Sequence, residues 1–139
     1  LPAPRINGVV ETCLYSNHLA DSIAFYRDRL GFRVLESGER LCVFSVADKQ
    51  VLIVFRSGGT PAPISTPGGL IPPHDAGGQL HVAFAISKGD FAAWETHLLA
   101  TGIPVESEVN WPGGSRSIYF RDPDNHLLEL ATPGIWEVY

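Results

Sequence analysis

Methionine is absent from the 139 residues, and cysteine occurs only twice. Without Met at any position, the translated start lies outside this stretch of chain. Cys13 and Cys42 make neither a metal-type spacing nor a disulfide framework. They read as two reduced thiols of a cytoplasmic protein. No basic run occurs and the net charge is −5, which speaks against a nucleic-acid partner, since phosphates need clustered Lys and Arg. Long apolar runs are missing too. The longest, Val51-Leu-Ile-Val-Phe55, suits a buried strand and is too short to span a bilayer, so no membrane association is expected. The opening Leu1-Pro-Ala-Pro-Arg5 has no charged-then-apolar signal pattern.

What is present is an ordinary globular composition, 45% hydrophobic and 18% charged, enough for one domain or two small modules. A weak internal repeat favours two modules. Glu11-Thr-Cys-Leu-Tyr-Ser16, a helical stretch and Leu30-Gly-Phe-Arg-Val34 are echoed by His81-Val-Ala-Phe-Ala-Ile86, a helical stretch and Thr101-Gly-Ile-Pro-Val105. The offset is 70 residues at Glu11 and His81 and 71 at Gly31 and Gly102.

Within the first strands, Glu11, Cys13 and Tyr15 fall on one face and Thr12 and Leu14 on the other. His81, Ala83 and Ala85 likewise oppose Val82, Phe84 and Ile86. Asp21–Leu30 reads as a helix with Ile23, Tyr26 and Leu30 on one side and Asp21 as its cap. The second helix starts at Asp90, with Phe91, Trp94 and Leu98 on one stripe. Gly31 and Gly102 follow the helix ends. Strands are expected at 40–46 and 51–55, and again at 115–121 and 126–131, the latter pair turning at Asp122-Pro-Asp-Asn125. Each half thus reads βαβββ, an α+β arrangement with a curved mixed sheet. Module 1 spans 6–56 and module 2 spans 80–134. Between them, 57–79 is a Gly/Pro-rich connecting loop that contains His74 and is long enough to be functional.

Glu129, on the last strand, is a carboxylate among apolar neighbours, expensive to bury unless paired or metal-bound. A single strand Glu or His has bland explanations, as a solvent-facing residue or a hydrogen-bonded core imidazole. Glu11, His81 and Glu129 together, on corresponding or adjacent strands, form a charge-neutral set of three ligands for a divalent cation, with coordination positions left open.

These residues lie in three motifs: Leu19-Ala-Asp-Ser-Ile-Ala-Phe-Tyr-Arg-Asp-Arg-Leu-Gly-Phe32, Gly78-Gln-Leu-His-Val-Ala-Phe84, and Tyr119-Phe-Arg-Asp-Pro-Asp-Asn-His-Leu-Leu-Glu-Leu130. On them the chain resembles the vicinal oxygen chelate superfamily, which includes glyoxalase I, extradiol dioxygenases, and fosfomycin- and bleomycin-resistance proteins. The resemblance implies two tandem βαβββ modules forming a cup-shaped sheet, and metal-ligand roles for Glu11, His81 and Glu129. Glyoxalase I has a fourth ligand where this chain has Ile53, and dioxygenases have a His where it has Glu11. One divalent ion, Mn, Zn, Ni, Mg or Fe(II), is implied, with Lewis-acid lyase or isomerase chemistry on a small substrate bearing two neighbouring oxygens. The alternatives are Fe(II) ring cleavage of a catechol and metal-free sequestration of a toxic small molecule.

Glu11, Glu129 and His74 are the candidates for proton transfer. Tyr15, Trp111 and Tyr119, with Trp136, are candidate substrate contacts, and Arg56 and Arg116 are candidates for meeting an anionic substrate. Family members are commonly dimers, so a homodimer is expected.

Overall fold

The computed structural model describes residues 1–139 and divides into two compact units, Leu1–Gly77 and Gly78–Tyr139. No helix is long and apolar enough to cross a membrane. In unit 1, β1 (Glu11–Ser16) leads into α1 (Leu19–Ala24), which continues as a π-helical turn over Phe25–Arg29. Then come β2 (Arg33–Ser37), β3 (Leu41–Ala47) and β4 (Gln50–Arg56). The sheet order is β1-β4-β3-β2, with β1 parallel to β4 and the other pairs antiparallel. Leu14, Phe44, Leu52 and Val54 are buried together with Phe25, Tyr26 and Leu30 of the helical segment. Parity therefore leaves Glu11, Cys13 and Tyr15 on the opposite face of β1.

The helix begins two residues before the expected Asp21, and Asp21 is not its cap. The chain is instead held by the buried Ser16, whose Oγ accepts the His18 N–H at 2.9 Å and lies 2.9 Å from Ser22 Oγ. Phe25 and Tyr26 open the π turn, and both are buried. The connecting segment is also more ordered than its Gly/Pro content suggests. It carries a small hairpin, β5 (Ile64–Thr66) and β6 (Gly69–Ile71), turned at Pro67-Gly68 and braced by Thr66 Oγ1 donating to Gly69 O at 2.7 Å. Thr60 and His74 close its base: the His74 N–H donates to Thr60 O at 3.2 Å, and the Thr60 hydroxyl donates back to His74 O.

Unit 2 repeats the plan. After β7 (His81–Ala85) and a 3-10 turn at Lys88–Asp90 come α2 (Phe91–Ala100), β8 (Val105–Asn110), β9 (Arg116–Arg121) and β10 (Leu127–Ala131). The order is β7-β10-β9-β8, again with the first and last strands parallel. Ile118, Phe120, Leu128 and Leu130 are buried with Phe91 and Leu98 of α2. The repeat extends to irregularities: the register slips between Val34 and Glu36 in one unit and between Val105 and Ser107 in the other. Asn125 takes the positive φ, 65°, expected of the Asp122–Asn125 turn.

Gly102 shows why the helix ends where it does. At φ +70° it closes a Schellman motif, donating to Leu99 O at 3.1 Å while the Ile103 N–H reaches Leu98 O at 2.9 Å. An added Cβ there would meet nothing within 4 Å, so only backbone strain opposes it. Gly102→Ala is expected to lower stability by about 1 kcal/mol in urea unfolding. Gly77→Ala, at a site with neither positive φ nor crowding, should change little.

Candidate metal and substrate site

Three strands of unit 2 build the polar end of a cavity of about 510 Å³. Glu129 projects from the central strand β10, on the face opposite Leu128 and Leu130, and is only 4% exposed. A carboxylate so buried needs partners, and both come from the adjoining strands. Ser117 on β9 donates its hydroxyl to Glu129 Oε2 at 2.5 Å, and Trp111 Nε1–H in turn donates to Ser117 Oγ at 2.9 Å. His81 on β7 places Nε2 3.3 Å from Glu129 Oε1.

The tautomer of His81 follows from its other nitrogen. Nδ1 lies 2.8 Å from the carbonyl oxygen of Leu127, which can only accept, so Nδ1 carries the proton. In the neutral ring Nε2 is then a lone-pair donor facing a carboxylate oxygen. Two such groups in contact repel unless a proton or a metal cation joins them. Donors roughly 2.0–2.2 Å from one cation at tetrahedral angles stand about 3.4 Å apart, close to the spacing seen. The backbone carbonyl on Nδ1 is the kind of outer partner that orients a metal-binding imidazole. The pair therefore fits a divalent ion.

Tyr119 completes this end, its ring stacked on the His81 imidazole with centroids 6.4 Å apart. Burial, followed by the charge of Glu129, pushes its phenol above the usual range, so it stays protonated and able to donate. Trp111 and Tyr119 line this cavity. Arg116 does not. It belongs to the opposite face of β9, with its guanidinium 3.7 Å over the Phe91 ring and its NH2 3.4 Å from Glu108 and 3.7 Å from Glu95. The alternation of a strand sends residue 116 to the helix side whenever 117 faces the cavity. Ser117, the residue that fixes Glu129, was not singled out in the sequence. Its signal was available as the neighbour two places from Tyr119 on the same face.

Unit 1 has its own cavity, about 300 Å³, lined by Glu11, Cys13, Ile53 and His74 among others. The Tyr15 hydroxyl lies 2.5 Å from His74 Nδ1, and the His74 ring packs edge-on against Phe55 with centroids 4.7 Å apart. The Cys13 thiol is pushed up by burial and then by Glu11. Ile53 pairs with Cys13 as Glu129 pairs with Ala83, so Ile53 is the structural counterpart of Glu129. Within either unit no group of three His, Cys, Asp or Glu side chains converges.

Removing the Ser117 hydroxyl strands a buried carboxylate oxygen and an indole N–H. Ser117→Ala is expected to cost about 2 kcal/mol in chemical denaturation. Ser115→Ala should be neutral or slightly stabilising, because the buried Ser115 hydroxyl has no partner to lose.

A family model described as the Glyoxalase/Bleomycin resistance protein/Dioxygenase superfamily matches residues 6–130. The metallothiol transferase FosB of Staphylococcus epidermidis is 31% identical over 134 residues, covering 91% of this chain and 84% of that protein. A crystal structure of lactoylglutathione lyase from Agrobacterium tumefaciens is similar at 32% identity, with a TM-score of 0.87 over 96% of this chain and 99% of that one. The fosfomycin resistance protein FosX from Listeria monocytogenes, at 21% identity and TM-score 0.68, shares the fold. The matched span includes the helices, sheets and polar pair described above, and the chain belongs to the glyoxalase/bleomycin resistance/dioxygenase superfamily, the vicinal oxygen chelate proteins.

Proposed function

We propose that this protein is a divalent-metal-dependent enzyme of the lyase or transferase type, acting on a small substrate through two neighbouring oxygens. The observation that carries the reading is the apposition of His81 Nε2 and Glu129 Oε1 at 3.3 Å with Nδ1 already committed to a carbonyl. His81 and Glu129 would hold the metal, with Glu11 as third protein ligand on the strength of the repeat and the family resemblance. A cation bound there supplies Lewis acidity, stabilising negative charge that develops on a substrate oxygen. Mn(II), Zn(II), Ni(II) and Mg(II) all suit a set of one imidazole and two carboxylates.

The remaining work falls to side chains of this chain. Ser117 and Trp111 keep the Glu129 carboxylate in one orientation, so no rearrangement is needed as charge builds up. The protonated Tyr119 phenol offers a hydrogen bond beside it. His74, set by Tyr15 and by the Thr60 clasp, and Glu11 are proposed to handle protons. The relatives named for thiol transfer and for lactoylglutathione cleavage support transferase or lyase chemistry. Ring-cleaving dioxygenation has less support, because its usual pair of imidazole ligands is replaced here by His81 and a carboxylate.

Protein purified without chelator is expected to hold about one divalent ion per chain by metal mass spectrometry. Glu129→Ala and His81→Ala should lose that metal and the activity together. A metal-replete, active Glu129→Ala protein would overturn the assignment.

A further inference from the structure

The same cavity carries information about what enters it, on the reading that His81 and Glu129 bind metal. Beyond those two residues its lining contains no Lys or Arg and is mainly aromatic and aliphatic. The floor is made of three alanines. Ala83 pairs with Glu129 and Ala85 with Ala131, so a strip of sheet bearing only methyl groups runs from the polar pair outward. From His81 to Ala85 is four residues of extended strand, about 13 Å.

Unit 1 shows what occupies the equivalent floor when the protein fills it itself. By the repeat, Ala83, Ala85 and Ala131 correspond to Cys13, Tyr15 and Phe55. Tyr15 and Phe55 pair across β1 and β4 and stack there with ring centroids 5.9 Å apart. The polar positions are inverted as well: Ser117, Tyr119 and Glu129 correspond to Leu41, Val43 and Ile53, all lining the unit 1 cavity. Unit 2 thus holds donors where unit 1 is aliphatic, and carries methyl groups where unit 1 has aromatic rings.

Walls for a ring are in position. Trp111 is oriented by its bond to Ser117. Trp136 is presented by a closed hook at the end of the chain, in which the Gly134 and Trp136 N–H groups donate to the main-chain oxygen of Tyr139 at 2.7 and 3.2 Å. The Tyr139 hydroxyl pins the hook to β10 by donating to Ala131 O at 2.8 Å. Trp136 remains 70% exposed, a large apolar surface at the cavity's rim.

We infer that the substrate is an uncharged aromatic compound carrying two neighbouring oxygens at one edge, its oxygens toward His81 and Glu129 and its ring on the alanine floor beside Trp111 and Trp136. Aromatic contacts of this kind stabilise a bound ring beyond the effect of its burial. A small anion such as a phosphonate finds no Lys or Arg side chain in this lining to pair with.

Calorimetric titration of the purified protein, metal-loaded and metal-free, with three probes tests this: 2-hydroxyacetophenone, hydroxyacetone and phosphonoformate. In the metal-free protein the aromatic ketol should bind at least tenfold more tightly than either other probe. Ala85→Leu, which refills the floor, and Trp136→Ala should each weaken it by about tenfold at unchanged metal content and circular dichroism, leaving hydroxyacetone unaffected. Equal or tighter binding of phosphonoformate or hydroxyacetone overturns the inference. So does a Trp136→Ala protein that changes only its oligomeric state in light scattering. Metal content, measured on the same samples, judges the metal reading separately, and the metal-free titration decides the aromatic preference whichever way that result falls.

Discussion

Everything proposed for this protein turns on keeping a carboxylate, Glu129, inside a β-sheet. Burial of that charge is unfavourable by itself, and the structure answers it from both sides of the central strand. β9 supplies the Ser117 hydroxyl and, through it, the Trp111 indole, while β7 supplies His81. None of these partners is a sequence neighbour of Glu129. They meet it because β10 lies between β7 and β9 and because both partners sit one pleat diagonally from it.

The two units show how one backbone serves two ends. Their strand orders, parallel closing pairs, register slips and helix-ending glycines correspond, so the units differ in side chains carried on a common frame. One sheet face became polar at 117, 119 and 129, and its counterpart became aliphatic at 41, 43 and 53. The alanine strip of unit 2 and the Tyr15–Phe55 stack of unit 1 are the same contrast in reverse. A single register therefore accounts for the absence of a fourth ligand at Ile53 and for the open floor beside Glu129.

Much of this was legible in the residues. Period-two alternation placed Glu11, Cys13 and Tyr15 together, and His81, Ala83 and Ala85 together, because a strand has no other way to divide its side chains. The repeat aligned Glu129 with Ile53, as the register of each unit bears out. Other features escaped for definite reasons. Asp21 looked like a cap, but Ser16, on the preceding strand, already meets the backbone at the start of α1. The π turn over Phe25–Arg29 leaves no mark in the apolar spacing, because adjacent buried residues such as Phe25 and Tyr26 fit an α-helix equally well. Arg116 drew attention as a cation near the site, yet the parity that favours Ser117 turns it to Phe91, Glu95 and Glu108.

The sequence by itself determined the βαβββ plan, its duplication, the strand faces and the ligand-type residues, since these depend on local periodicity and on spacing along the chain. Tertiary structure decided which hydroxyl steadies the carboxylate, which nitrogen of His81 carries its proton, that His74 is clasped by Thr60 and Tyr15, and that a chain-end hook brings Trp136 to the cavity. Those are contacts between residues distant in sequence. Their geometry is set by strand order and pleat, quantities that no stretch of one strand contains.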